Sequence, residues 1–268
     1  MNTPKKSLGQ HWLNDEATLN YICDAAELWP NETVLEVGPG TGTLTRKLID
    51  RGVNVVAVEK DETLAALLKG SLSSHISAIY KEAPCKVAVV EGDILKFDLS
   101  PLAVDYKVVA NIPYYLTSNL LRVFSESKQP PKLMVLLIQK EVAERLAASP
   151  GQTSILSVSV QLFYEPTLGK VVPAELFEPP PKVDSQVVIL KRRDQPLFDN
   201  LDTDKFFRVV KAGFSERRKK LRSSLSGGLK ITKDQADALL QKAGIDPNSR
   251  AQELSLEQWH RLSESLNQ

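Results

Sequence analysis

Asn111, Pro113 and Tyr114, in the stretch Asn-Ile-Pro-Tyr, are the residues of this chain best suited to chemistry on a flat nitrogenous base. A planar exocyclic amine attacks an electrophilic methyl only when its hydrogens are held and its lone pair is turned toward the carbon. The side-chain oxygen of Asn111 and a backbone carbonyl such as that of Ile112 can accept those hydrogens. Tyr114 offers a face on which the base stacks. Pro113 fixes φ and donates nothing, so the chain leaves its strand abruptly and Asn111 and Tyr114 project together. No strong general base is required, because the product ammonium nitrogen loses its proton readily. Taken alone, the same four residues also suit a strand-ending turn with a surface tyrosine.

A second stretch supplies a place for the other reactant. Thr33 to Gly42 reads Thr-Val-Leu-Glu-Val-Gly-Pro-Gly-Thr-Gly, an apolar run that breaks into Gly38, Gly40 and Gly42 before a helical pattern. Such a strand-to-helix turn lets a ligand approach the backbone closely. The next apolar run, Val53 to Val58, ends in Glu59, whose carboxylate can accept both hydroxyl hydrogens of a ribose. Asp93, in Glu91-Gly92-Asp93-Ile94, can cap a turn; beside a bound nucleoside it can instead accept from an adenine amino group. Two cofactors fit this description. The dinucleotide fingerprint is G-x-G-x-x-G, whereas Glu36 followed by Gly38, Gly40 and Gly42 resembles the E/D-x-G-x-G-x-G loop of S-adenosylmethionine methyltransferases. The Asn-Ile-Pro-Tyr stretch decides for the methyl donor. A nicotinamide dehydrogenase is disfavoured, since the glycine spacing is wrong and no acid–base residue accompanies the turn.

The elements that must position these residues follow from hydrophobic periodicity. A helix is expected over 15–26, strands at 33–38, 53–59, 86–91, 106–111 and 132–139, and helices at 42–51, 61–80, 116–126 and 140–148. Runs such as Leu133 to Ile138 are apolar throughout, as strands buried on both faces of a parallel sheet must be. The expected class is therefore α/β and doubly wound, with ligands beyond the carboxyl ends of the strands, where the glycine loop, Glu59, Asp93 and Asn111 all fall. Beyond Pro196 only helical patterns remain, at 203–213, 216–225, 233–243 and 255–266, with breaks at Gly227-Gly228 and 244–248. The expected division is a domain over 1–195 and an all-α domain over 196–268.

Composition sets outer bounds. The 268 residues have 42% hydrophobic and 25% charged content, ordinary for a globular protein. No apolar run approaches the ~18 residues of a membrane helix, and Met1 to Ser7 lacks the apolar core of a signal peptide. Cys23 and Cys85 are too few for a disulfide framework and are not spaced as metal ligands, so no metal is expected and the reading is cytoplasmic. Net charge is +1, yet Asp204 to Arg222 concentrates Lys205, Arg208, Lys211, Arg217, Arg218, Lys219, Lys220 and Arg222 against Asp204 and Glu216. That segment is either a solvated helix face or a surface for phosphates.

Six stretches together resemble the ribosomal RNA adenine dimethyltransferase family, in particular its bacterial small-subunit branch: Lys-Ser-Leu-Gly-Gln-His-Trp-Leu (6–13), Glu-Val-Gly-Pro-Gly-Thr-Gly-Thr-Leu-Thr (36–45), Asn-Ile-Pro-Tyr-Tyr-Leu-Thr-Ser (111–118), Gln-Lys-Glu-Val-Ala-Glu-Arg-Leu (139–146), Phe-Glu-Pro-Pro-Pro-Lys-Val-Asp-Ser (177–185) and Ala-Gly-Phe-Ser-Glu-Arg-Arg-Lys-Lys-Leu-Arg (212–222). The resemblance spans nearly the whole chain. It implies a Rossmann-like methyltransferase domain, a helical RNA-binding domain, and transfer of methyl groups from S-adenosylmethionine to the N6 amines of two adjacent adenosines in the 3′-terminal hairpin loop of 16S ribosomal RNA during small-subunit biogenesis. Cofactor contacts then fall on His11, Leu13, Gly38, Gly40, Glu59, Asp93 and Asn111. Catalytic positions fall on Asn111, Pro113, Tyr114 and Phe177, the last covering the other face of the target base. The chain departs from the family at His11-Trp12, where asparagine and phenylalanine are usual. Residues 153–164 alternate like a strand, but the resemblance implies a helix, and a terminal hairpin at Val171-Val172 and 187–190. The basic segment Arg217, Arg218, Lys219, Lys220, Arg222 would lie on RNA phosphates, and the protein would act as a monomer. Competing readings are a 23S ribosomal RNA methylase of the antibiotic-resistance type, against which the 177–185 and 212–222 stretches argue, and a non-catalytic assembly or transcription factor, which would lose Asn111 or Tyr114.

Overall fold

The computed structural model describes residues 4–5, 8–79, 85–216 and 218–266; Lys6, Ser7 and Arg217 lie outside them. The chain divides into two compact units, Met1–Ala143 with Glu165–Arg192, and Glu144–Tyr164 with Arg193–Gln268. Residues 144–164 thus pack with the C-terminal helices, which a single boundary after 195 does not allow for.

The first unit begins with a two-residue strand, β1 (Trp12–Leu13), and α1 (Glu16–Ala25), whose N-cap Asp15 accepts from Thr18 N–H. Alternating elements follow: β2 (Thr33–Val37), α2 (Thr43–Asp50), β3 (Asn54–Glu59), α3 (Glu62–Ile79), β4 (Val87–Glu91), β5 (Lys107–Asn111), α4 (Thr117–Glu126), β6 (Leu133–Gln139) and α5 (Lys140–Leu146). After α6 (Ile155–Phe163) come β7 (Tyr164–Val172), β8 (Phe177–Glu178) and β9 (Ser185–Arg192). The large sheet has the order β4-β3-β2-β5-β6-β9-β7. Its first five strands are parallel, and β9 runs antiparallel to β6 with Leu137 opposite Val187. Strand order reverses between β2 and β5, and a doubly wound sheet opens its ligand crevice at such a point. The apolar runs are central strands as expected: Met134 to Ile138 of β6 are completely buried.

The second unit carries α6 and four C-terminal helices: α7 (Thr203–Gly213), α8 (Leu221–Leu229), α9 (Lys233–Lys242) and α10 (Leu256–Ser265). α6 forms despite its serine and valine content for two reasons. Ser154 and Ser157 make a reciprocal capping box at its start, and Val158 and Leu162, four residues apart, enter the core around Phe206, Leu225 and Trp259.

The helix expected at 216–225 is displaced. Phe214–Glu216 form a 3₁₀ turn, Lys220 is the N-cap of α8, and α8 runs through Gly227-Gly228 to Leu229, ending at Lys230 with φ 59°. Gly228 is a packing residue rather than a helix stop. A Cβ there would lie 2.6 Å from Ala212 Cα and 2.7 Å from its Cβ, so only glycine lets α8 close on α7. Gly228→Ala is expected to lower the unfolding free energy by about 1–3 kcal/mol, the usual cost of overpacking, read as an earlier urea midpoint at unchanged m-value.

Candidate active site

His11, Leu13, Gly38, Gly40, Glu59, Asp93, Asn111, Pro113, Tyr114 and Phe177 all line one cleft, of about 1080 Å³ including space open to solvent, at the carboxyl ends of the parallel strands. Gly38, Gly40 and Gly42 have φ of 65°, 57° and 79°, left-handed values that L side chains rarely adopt. Gly38 N–H donates to Val58 C=O at 2.9 Å and Gly40 N–H to Glu59 Oε2 at 3.0 Å, so the loop is tied to the end of β3. Glu59 Oε1 accepts from Asp61 N–H at 2.9 Å. A carboxylate has about four lone-pair positions, so each oxygen of Glu59 keeps one for a ribose hydroxyl.

Asp93 is the turn cap that the sequence allowed, and it also carries an ion pair. Its Oδ1 accepts from Leu95 N–H at 3.1 Å, capping a 3₁₀ turn, while Oδ2 pairs with Lys60 Nζ at 2.8 Å. The Lys60 hydrogen bond holds the Asp93 carboxyl below the usual carboxylate range, so it remains an acceptor in the cleft.

The N-terminal arm lies over this crevice. β1 pairs antiparallel with β8, Leu13 opposite Phe177, and Leu13 C=O accepts from Thr43 Oγ1 at 2.9 Å. Asn111 Nδ2 donates to His11 C=O at 3.1 Å. A carbonyl only accepts, so this contact fixes which way the amide faces and leaves Oδ1 as its acceptor. His11 Nδ1 donates to Pro179 C=O at 2.7 Å, and its ring stacks on Tyr114 with centroids 5.8 Å apart. Tyr114 Oη is 2.9 Å from Ser185 Oγ, and burial raises its pKa. Phe177 is buried, with 4% of its surface exposed.

Asp61 and Ser185 are site residues that the sequence does not single out. Asp61 is 4% exposed and accepts from Lys5 Nζ and, at 3.3 Å, from Gln10 Nε2, which fastens the arm to the end of β3. Burial pushes its pKa up, but the Lys5 and Gln10 hydrogen bonds outweigh that and the net shift is downward. Its position just after Glu59 was the available signal, hidden because an aspartate before a helix reads first as an N-cap.

Glu36, beneath the glycine loop, is 2% exposed and its Oε2 has no hydrogen-bond partner among the described residues. Burial, reinforced by the Glu59 charge, pushes its pKa up to about 8 from 4.5. The folded chain therefore holds a proton that the unfolded chain has released between about pH 4.5 and 8. Stability must fall as pH rises through that window, by up to about 1.4 kcal/mol per pH unit. Glu36→Gln is expected to flatten this slope in urea titrations across the same window; an unchanged slope would mean Glu36 ionises inside the fold.

In the second unit, Lys219 pairs with Glu216 at 2.5 Å, Lys220 Nζ with Asn248 Oδ1 at 2.6 Å, and Arg222 with Asp237 at 2.7 Å. Arg208, Lys211 and Arg218 are exposed. Among the described residues no cluster of His, Cys, Asp or Glu could hold a metal, and no helix is long and apolar enough to cross a membrane.

A parallel sheet with a glycine loop after its first long strand, an acidic residue ending the next, and an amide-proline-tyrosine turn at the reversal point defines a Rossmann-like methyltransferase using S-adenosylmethionine. The left-handed glycines and the lone pairs left on Glu59 and Asp93 fit that cofactor. The chain belongs to the ribosomal RNA adenine dimethylase family, whose sequence model it matches over residues 1–268. It is 42% identical over 275 residues to the ribosomal RNA small subunit methyltransferase A of Thermosynechococcus vestitus, covering 98% of this chain and 97% of that one. With the protein of the same name from Dehalococcoides mccartyi it shares 40% identity, over 96% of this chain and 87% of the other. Among solved structures, the 23S rRNA methyltransferase ErmE superposes with TM-score 0.73 at 31% identity, covering 96% of this chain and all of that one (100%). A dimethyladenosine transferase from Plasmodium falciparum superposes with TM-score 0.77 at 27% identity, over 94% and 96% of the two chains. The chain is an S-adenosylmethionine-dependent ribosomal RNA adenine dimethyltransferase.

Proposed function

We propose that the protein methylates the N6 amines of two adjacent adenosines in the 3′-terminal hairpin loop of 16S ribosomal RNA during small-subunit assembly, as a cytoplasmic monomer. The observation that carries the catalytic part is the Asn111 amide, clamped by His11 C=O so that an acceptor is presented at the end of β5. S-adenosylmethionine, when bound, supplies an electrophilic methyl on a sulfonium. Gly38, Gly40 and Leu13 give it a backbone cradle, Glu59 takes its ribose, Asp93 its adenine amine, and His11 and Asn111 complete its covering. Asn111 Oδ1 and the Ile112 carbonyl hold the target amine's hydrogens while Pro113 fixes the turn. His11 occupies one face of Tyr114, so the unstacked adenine takes the other, with Phe177 opposite. Lone-pair alignment, not proton removal, is what the residues provide.

In the second unit, Arg208, Lys211 and Arg218 are the exposed cations best able to meet RNA phosphates. Lys219, Lys220 and Arg222 of the expected segment hold protein partners and contribute by exchanging them, and Arg217 lies outside the described residues.

The likeness to ErmE supports a second reading, a 23S target, whereas the names of the curated relatives support the small subunit. Labelled methyl transfer to unmethylated small and large subunits, followed by nucleoside analysis, separates them. N6,N6-dimethyladenosine near the 16S 3′ end is the expected result, and label confined to 23S RNA would overturn the proposal.

A further inference from the structure

Tyr115 is an aromatic that the site as described leaves unused. Tyr114 to Leu116 form a 3₁₀ turn, in which three residues complete one revolution and successive side chains point about 120° apart. Tyr114 consequently turns inward to Ser185, Leu116 is buried at 7% exposure, and Tyr115 points out with 55% of its surface exposed while still lining the cleft. A single exposed aromatic is ordinary on a protein surface. This one differs in its setting. Gly9 of the N-terminal arm, φ 58°, lies flat against it, where a Cβ would come within 3.3 Å of Tyr115 Cδ1 and 3.6 Å of Cε1. The arm thus supports the ring from one side, at the rim of the cleft, one residue from the tyrosine assigned to the target base.

We propose that Tyr115 is a second stacking platform, which takes the nucleobase next to the target adenosine in single-stranded RNA. An extruded adenine leaves its neighbour unstacked on that side, and an exposed ring at the rim can replace the lost stacking partner. Because any base has a π-face, this contact adds affinity and register without selecting sequence. Two stacked neighbours also suit a substrate in which adjacent adenosines are modified in turn, since shifting by one nucleotide carries one base from Tyr115 to Tyr114. The inference rests on the RNA adenosine reading above.

The test compares Tyr115→Phe, Tyr115→Leu and Tyr115→Ala with the unaltered chain, using a hairpin RNA carrying the 16S loop and two further hairpins abasic immediately 5′ or 3′ of the target adenosine. Tyr115→Phe is expected to behave as the unaltered chain. Tyr115→Leu, which keeps apolar bulk against Gly9 but no flat face, and Tyr115→Ala are expected to raise the RNA KM about 5- to 150-fold, the range of one stacked base. Affinity for S-adenosylhomocysteine, measured by calorimetry, is expected to stay within about twofold, which excludes a loosened arm. On one abasic hairpin the penalty should vanish. A full penalty on both abasic hairpins, normal activity of Tyr115→Leu, or an RNA KM that none of the variants changes would overturn the proposal while leaving the parent reading intact. An unaltered chain that methylates no RNA adenosine would overturn both.

Discussion

Asn111→Ala is expected to lower methyl transfer to RNA about 10²–10³-fold, the usual loss when one preorganised polar group is removed from a reacting centre. Positive charge develops on the amine nitrogen as the methyl arrives, and an acceptor held in place beforehand stabilises it without reorganising. Asn111 is held by its other end, since Nδ2 donates to His11 C=O, so the amide cannot turn its oxygen away without facing carbonyl to carbonyl. Asn111→Asp sharpens the test. It retains an acceptor but loses the donor, and sets a carboxylate against the His11 carbonyl, so it is expected to lie well below the native chain. Product-cofactor binding should weaken less than about tenfold in the alanine variant, since one hydrogen bond is lost while Glu59 and Asp93 remain. Single-turnover transfer with saturating cofactor reads the chemical step directly. Activity of Asn111→Ala within about threefold of native would show that the Ile112 carbonyl suffices and that Asn111 only anchors the arm.

How much of this was legible in the sequence depends on the range of the interactions. The parallel strands could be read because β5 and β6 are buried on both faces, so Val108 to Ala110 and Leu133 to Ile138 are apolar without interruption and end where polar function begins. Glycine spacing and Glu59 were legible for the same local reason. What local pattern missed was set by distant partners. Gly227-Gly228 has the form of a helix stop, but Ala212, sixteen positions earlier, makes Gly228 a contact residue inside α8. Residues 153–164 alternate like a strand, and the core of the second unit makes them helical. That pairing also moves 144–164 out of the first unit, because a segment between two strands was assigned by its place in the chain. Asp61 was missed because its partners, Lys5 and Gln10, lie more than fifty residues away. Arg218 to Lys220 fall inside the helix expected at 216–225, yet Lys220 is the N-cap of α8 and the helix starts only at Leu221.

Glu59→Ala should have a comparably large effect, on cofactor binding rather than on the chemical step. Both carboxylate oxygens of Glu59 hold backbone N–H groups, that of Gly40 at 3.0 Å and that of Asp61 at 2.9 Å, with the residue 5% exposed. Removal therefore leaves two donors without their acceptor and, on the proposed role of Glu59, deprives the ribose diol of its partner in the same substitution. Hydrogen bonds to a charged group contribute roughly 1.5–3 kcal/mol each, so loss of the diol contacts alone corresponds to about 10²–10⁴ in Kd. Gly40 N–H is also the tie between glycine loop and β3, and its release frees the loop to leave the left-handed conformation that forms the cradle. Glu59→Gln separates the two roles. One amide oxygen still serves a single N–H, while the amide nitrogen faces the other donor, so Gln is expected to recover little. Calorimetric titration with S-adenosylhomocysteine reads the binding, and the 2′-deoxyribose analogue reads the diol contact. If Glu59 accepts from the ribose, the deoxy analogue loses affinity for the native chain but not for Glu59→Ala. Equal losses in both would place the ribose elsewhere and leave Glu59 as a brace for the loop alone.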